Sequence, residues 1–138
     1  MDVDSLLKAL DNENNEKIMD ETPSSIKAKK NDILQQLGLK KEDLKMFHKK
    51  LKNYKYCEQP NDIDFGKYIR WISLRTMDNF KLTNGGIICD MKVINDELHI
   101  VCKNNLNRII QINFNKSIIF QKLSNEENII LHALKLLQ

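Results

Sequence analysis

The chain has 138 residues, 30% of them charged and 41% hydrophobic, with a formal net charge of +3. That length fits one domain, or one domain with a helical appendage, and that balance is ordinary for a soluble globular protein. No segment reaches the roughly 18 to 20 apolar residues that a membrane helix requires, so no membrane partner is expected.

The net charge conceals three blocks. Residues 1–22 carry two Lys against seven acids, hence −5, and residues 23–56 carry ten Lys against three acids, hence +7. Residues 57–138 carry ten bases against nine acids, hence +1. This asymmetry predicts an acidic flexible tail (1–22), a basic helical hairpin (23–56), a linker (57–65) and a nearly neutral body (66–138). Met1-Asp2-Val3-Asp4 is acidic and does not read as a signal peptide, and Cys57, Cys89 and Cys102 are an odd number without framework spacing. Both features predict an intracellular, reducing location.

In the tail, Leu6, Leu7 and Leu10 suit a short helix, whereas Asp11-Asn12-Glu13-Asn14-Asn15 has poor propensity and reads as disordered. Pro23-Ser24-Ser25 opens a second helix carrying Ile26, Ile33, Leu34 and Leu37, with Gly38 as its stop. A third helix is predicted from about Lys40 to Tyr54, its apolar stripe formed by Leu44, Phe47, Leu51 and Tyr54.

Past the linker the period changes from helical to alternating. Five strands are predicted at Lys67–Arg75, Ile87–Ile94, Glu97–Lys103, Arg108–Asn113 and Ser117–Leu123, separated by Asn- and Gly-containing turns. Connections this short predict an antiparallel meander, curled into a small SH3-like barrel. Ser124 with Glu127 forms a capping box that starts a C-terminal helix, expected as the barrel's lid. The predicted class is therefore α+β: a helical hairpin followed by a five-stranded antiparallel barrel and a final helix.

If Asn95-Asp96 is a two-residue hairpin loop, strict pairing sets Ile94 opposite Glu97, Met91 opposite Ile100 and Cys89 opposite Cys102. The cysteine pair then reads either as two reduced, buried residues or as a redox-sensitive disulfide.

Motifs for chemistry are scarce. Cys57, Cys89, Cys102, His48, His99 and His132 lack zinc-finger spacing, so no metal site is expected. Gly85-Gly86 lacks the Lys-Ser or Lys-Thr of a phosphate loop and reads as a turn or bulge. Asp62, Asp64, Asp78, Asp90 and Asp96 read as solvated carboxylates. No cofactor is implied, and a non-enzymatic protein is predicted.

Two binding features stand out. Lys41, Lys45, Lys49 and Lys52 step by three or four on the third helix, on a ridge roughly 120° around from its apolar stripe. Lys27, Lys29, Lys30, Lys50 and Lys55 enlarge the field. Such a ridge suits non-specific contact with nucleic-acid phosphates, while the absence of Arg from residues 23–56 favours a plain solvated or protein-contacting face. The acidic tail is expected to fold over the ridge and screen it. Alternation in the first predicted strand sets Ile69, Trp71 and Ser73 on one side and Tyr68, Arg70, Ile72 and Leu74 on the other. The second set reads as core, making Trp71 a candidate exposed anchor for a protein partner; the competing reading packs it inside.

Four blocks carry a resemblance: Gly66-Lys67-Tyr68-Ile69-Arg70-Trp71-Ile72, Leu82-Thr83-Asn84-Gly85-Gly86-Ile87-Ile88, Val101-Cys102-Lys103-Asn104 and Ile119-Phe120-Gln121-Lys122-Leu123-Ser124. Over residues 66–137 the chain resembles small proteins of nucleocytoplasmic large DNA viruses. That resemblance implies a host cytoplasm, virus factory or virion location and no particular catalytic residue. The leading expectation is a binding module, viral accessory or virion-associated. The alternatives are a structural capsid or core component and a divergent enzyme.

Overall fold

The computed structural model describes residues 2–76 and 78–137. Among them the helices are α1 (Val3–Asp11), α2 (Pro23–Gln35), α3 (Lys41–Lys50) and α4 (Asn125–Leu136). The strands are β1 (Tyr54–Cys57), β2 (Tyr68–Ser73), β3 (Gly86–Ile94), β4 (Glu97–Lys103), β5 (Ile109–Asn113) and β6 (Ser117–Lys122). All strand pairs are antiparallel, and the sheet order is β1-β6-β2-β3-β4-β5.

The helix ends follow local chemistry. Thr22 and Ser25 exchange side-chain and backbone bonds over Pro23 to start α2, and Ser124 and Glu127 do the same for α4. Gly38, with φ of +64°, takes the left-handed conformation just beyond α2. The third helix stops at Lys50, four residues short of the predicted end. Tyr54, expected on its stripe, instead begins β1, where Tyr-Lys-Tyr-Cys alternates against β6. The predicted linker is thus part strand, and the sheet has six strands.

β2 through β5 form the expected meander. The chain then leaves the β5 edge through a 3-10 turn at Phe114–Lys116, and β6 pairs with both β2 and β1. The edge strands β1 and β5 do not pair with each other, so the sheet remains open. One sheet face gathers Cys57, Ile69, Trp71, Ile88, Ile100, Cys102, Ile112 and Ile119 with the loop residue Ile63. That core is drawn from the strands and the loop before β2, with no helix residue among its buried members. The opposite face packs Ile72, Ile118 and Phe120 against Leu34, Phe47 and Leu51 of the helical hairpin.

A third core joins Ala9, Ile18, Ile26, Leu123, Ile130 and Leu131. It corrects two expectations. α4 does not lid a barrel; it packs beside α1. Nor do residues 2–22 form a flexible tail: the Asn-rich run is a set of caps. Asn12 accepts from the Asn14 N–H and donates to Glu126 Oε1 at 2.9 Å, and the buried Asn15 donates to the Ala9 carbonyl at 2.9 Å. These bonds turn α1 into a 3-10 helix at Glu13–Asp20, seating Ile18 in the core.

In the β3–β4 hairpin, Asn95 and Asp96 both have positive φ (52° and 64°), as a two-residue primed turn requires. Ile94 faces Glu97 and Met91 faces Ile100, as the pattern predicts. The pairing then slips between Ile88 and Asp90, and Ile88, not Cys89, stands opposite Cys102. The slip is a β-bulge, which breaks the strict alternation on which the cysteine pairing depended. Cys89 turns to the surface, Cys102 stays in the core, and both are free thiols.

Gly85, with φ of +93°, lies so close to β2 that a Cβ would collide with the Ile69 carbonyl. That glycine serves close backbone packing.

Candidate polyanion-binding surface and adjoining groove

α3 docks through Phe47, with Leu51 just past its end, both buried, and this fixes the opposite side toward solvent. Lys41, Lys45, Lys49 and Lys52 are all exposed, as their spacing predicts. None takes part in the three ion pairs among the described residues, which join Lys17 to Asp64, Lys29 to Glu21 and Lys67 to Glu127.

Two lysines assigned to the same field are used otherwise. Lys29 binds Glu21 at 2.6 Å. Burial alone would raise the Glu21 carboxyl, but hydrogen bonds from Lys29 and Ser25 hold it below its ordinary range. Lys30 is buried, and its Nζ donates to the carbonyls of Leu51 at 2.8 Å and Lys52 at 3.4 Å. It thereby satisfies carbonyls at the end of α3. Burial, and secondarily Lys27, lower its pKa. The acidic segment lies against α4, and the Glu21–Lys29 pair is its contact with the basic hairpin among those ion pairs. It does not cover the ridge.

Beside the ridge, α2, the end of α3 and α4 enclose a groove of about 660 Å³. Its floor is apolar, with Ile26, Leu123 and Leu131. Around that floor stand Lys27, Lys52 and Lys135, with His48 and His132, and among the described residues no carboxylate lines it. His48 Nε2 lies 3.1 Å from Asn31 Oδ1; burial first, then Lys30 and Lys27, push its pKa down. Chemically the groove combines an aliphatic base with cationic walls, which suits an amphipathic anionic group. Sequence reasoning reached Lys27 and Lys52 but not His48, His132 or Lys135. The last two sit three residues apart on α4 and share a helix face, a signal visible only once α4 is known to lie beside α2.

Trp71 is not an exposed anchor. It is 7% exposed and packs in the core on one face of the sheet, with Ile69, Ile88 and Ile119. Both faces of β2 are buried, so alternation could not tell core from surface there. Asp64 is not merely solvated either: it binds Lys17 at 3.0 Å and exchanges two hydrogen bonds with the buried Gln121.

Among the described residues no three His, Cys, Asp or Glu side chains cluster as metal ligands. Burial pushes the Cys57 thiol up to about 12 and Cys102 up to about 11. Neither is a nucleophile near neutral pH. Among these residues no helix is long and apolar enough to cross a membrane. No protein-family model matches the sequence, and neither a curated protein nor a solved structure matches the chain.

Proposed function

We propose that the protein is a non-enzymatic binding module that contacts nucleic-acid phosphates through the ridge of Lys41, Lys45, Lys49 and Lys52. One observation carries the reading: these four ammonium groups are exposed together and none is engaged in an ion pair among the described residues. Releasing condensed counterions from a phosphate backbone rewards such a surface without reading sequence. Behind it, β2–β6 act as an SH3-like platform. Supporting this, the last of these strands returns through one 3-10 turn to pair with the first, and the inner face is filled by the sheet's own side chains. The module is an intracellular viral accessory factor, working in the host cytoplasm, virus factory or virion.

The test is a salt titration of DNA and RNA binding by wild type and by Lys41→Gln/Lys45→Gln/Lys49→Gln. Each lost phosphate contact reduces the slope of log K against log salt by about 0.9 on duplex DNA and about 0.7 on single strands. The triple variant is expected to flatten the slope by about two to three on duplex. No binding by wild type at low salt, or an unchanged slope, overturns the reading.

A second reading, a structural component built from copies of the chain, is favoured by a different feature. Val3, Leu7 and Leu10 of α1 remain exposed in the isolated molecule.

A further inference from the structure

We infer that the chain self-associates by laying α1 of one copy into the α2–α3–α4 groove of another. The two surfaces are complementary in polarity and charge, and among the described residues neither is covered within a single copy.

α1 is amphipathic twice over. Leu6 and Ala9 face α4 and tie the helix down. Val3, Leu7 and Leu10 stand at i, i+4 and i+7, forming a second apolar stripe about 100° further round the helix. That stripe is solvent-exposed, with Val3 at 64% and Leu7 at 54%. Asp4 and Asp11 fall along its outer border, on the side away from Leu6 and Ala9. A helix presenting three aliphatic side chains edged by carboxylates has one obvious counterpart here. The groove offers Ile26, Leu123 and Leu131 as its floor and Lys27, Lys52 and Lys135 around it, with no carboxylate among the described residues that line it. Aliphatic stripe on aliphatic floor removes apolar surface from water, and the Asp–Lys borders fix the register.

The placement of the two surfaces also permits closure. Asn128 and His132 line the groove and also line a recess shared with Asp2 and Ser5 at the start of α1. Stripe-bearing helix and groove therefore flank the same helix, α4. A two-fold axis beside α4 sets each copy's α1 over the other's groove, giving a closed dimer with two equal contacts. This assembly leaves Lys41, Lys45 and Lys49 outside the interface.

The test uses the full chain and sedimentation velocity across a concentration series. Wild type is expected to dimerise. Leu7→Asp, which removes the centre of the stripe, is expected to weaken dimerisation at least tenfold, as are the paired reversals Asp4→Lys/Asp11→Lys and Lys27→Glu/Lys135→Glu. All these positions except Leu7 are charged and exposed, and Leu7 is mostly exposed, so retained thermal melts identify folded variants. Combining the two reversals in one chain restores the charge pairing and is expected to recover dimerisation. A wild type that stays monomeric throughout overturns the proposal. So does a combined variant that fails to recover what each reversal lost, or a folded Leu7→Asp chain that dimerises like wild type. The Lys41/Lys45/Lys49 variant should dimerise normally, which separates this result from the nucleic-acid test.

Discussion

The ammonium group of Lys30, on α2, donates to the Leu51 carbonyl at 2.8 Å, just past the last turn of α3. A residue whose composition suggests a surface cation is in fact the buried clamp of the helical hairpin. Its two acceptors, the Leu51 and Lys52 carbonyls, lie between the end of α3 and Tyr54, the first residue of β1. Lys30→Ala leaves the Leu51 and Lys52 carbonyls without this donor, and the expected cost is about 2 kcal/mol by urea unfolding. Lys30→Met keeps the aliphatic stem and should cost about half as much.

The same residue gives a pH signature with a definite sign. Its pKa is lowered by burial from the ordinary 10.5, so the folded state disfavours its proton relative to the unfolded chain. The resulting penalty is full below the folded pKa and fades as pH rises through it toward 10.5. Tyr54 and Tyr56 work the other way, since burial raises both and ionisation of the unfolded chain then favours unfolding at high pH. Subtracting the Lys30→Met stability curve from that of wild type isolates the lysine: the difference should move in favour of wild type as pH climbs into the alkaline range. A flat difference would mean that the ammonium is not desolvated.

Thiol labelling tests the β-bulge in β3. Cys89 is exposed, whereas Cys57 and Cys102 are buried with pKa values pushed to about 12 and about 11. Alkylation of the native protein near pH 8 should add one label, on Cys89, with the other two reacting only in denaturant. Protection of Cys89 along with Cys102 would mean that the hairpin is paired without the slip, which would turn both thiols to the core face.

The strands of residues 68–122 were legible because each is a run of β-branched or aromatic residues closed by Asn or Gly, and the Asn95-Asp96 turn fixed its own register. The bulge at Cys89 was not legible: one extra residue leaves composition unchanged while reversing the faces beyond it. β1 was hidden because Tyr54 fits a helical stripe through Leu51 as well as it fits alternation with Tyr56. The side taken by Trp71 was left open for a related reason, since a strand buried on both sides carries no polar face to orient it. The Lys ridge, by contrast, depends only on helical spacing around Phe47, and its exposure followed. The groove needed α4 placed against α2, a contact between segments about a hundred residues apart, which no local pattern encodes.

The acidic N-terminal segment is where folding and binding expectations part most clearly. A loose tail screening the lysines would, once removed, leave stability untouched and tighten salt-sensitive nucleic-acid binding. Here Ala9 and Ile18 are fully buried beside Leu123, Ile130 and Leu131, and Asn12 is bonded to Glu126. Ile18→Ala should therefore cost about 3 kcal/mol, the range for truncating a large aliphatic side chain in a core. Removing residues 1–22 should destabilise the chain by more, since α4 then loses an apolar partner along with the cap contact at Glu126. Urea unfolding of the point variant is the cleaner measurement, because it changes no charge; a cost within ±0.5 kcal/mol, as for surface substitutions, would return the segment to the status of a tail.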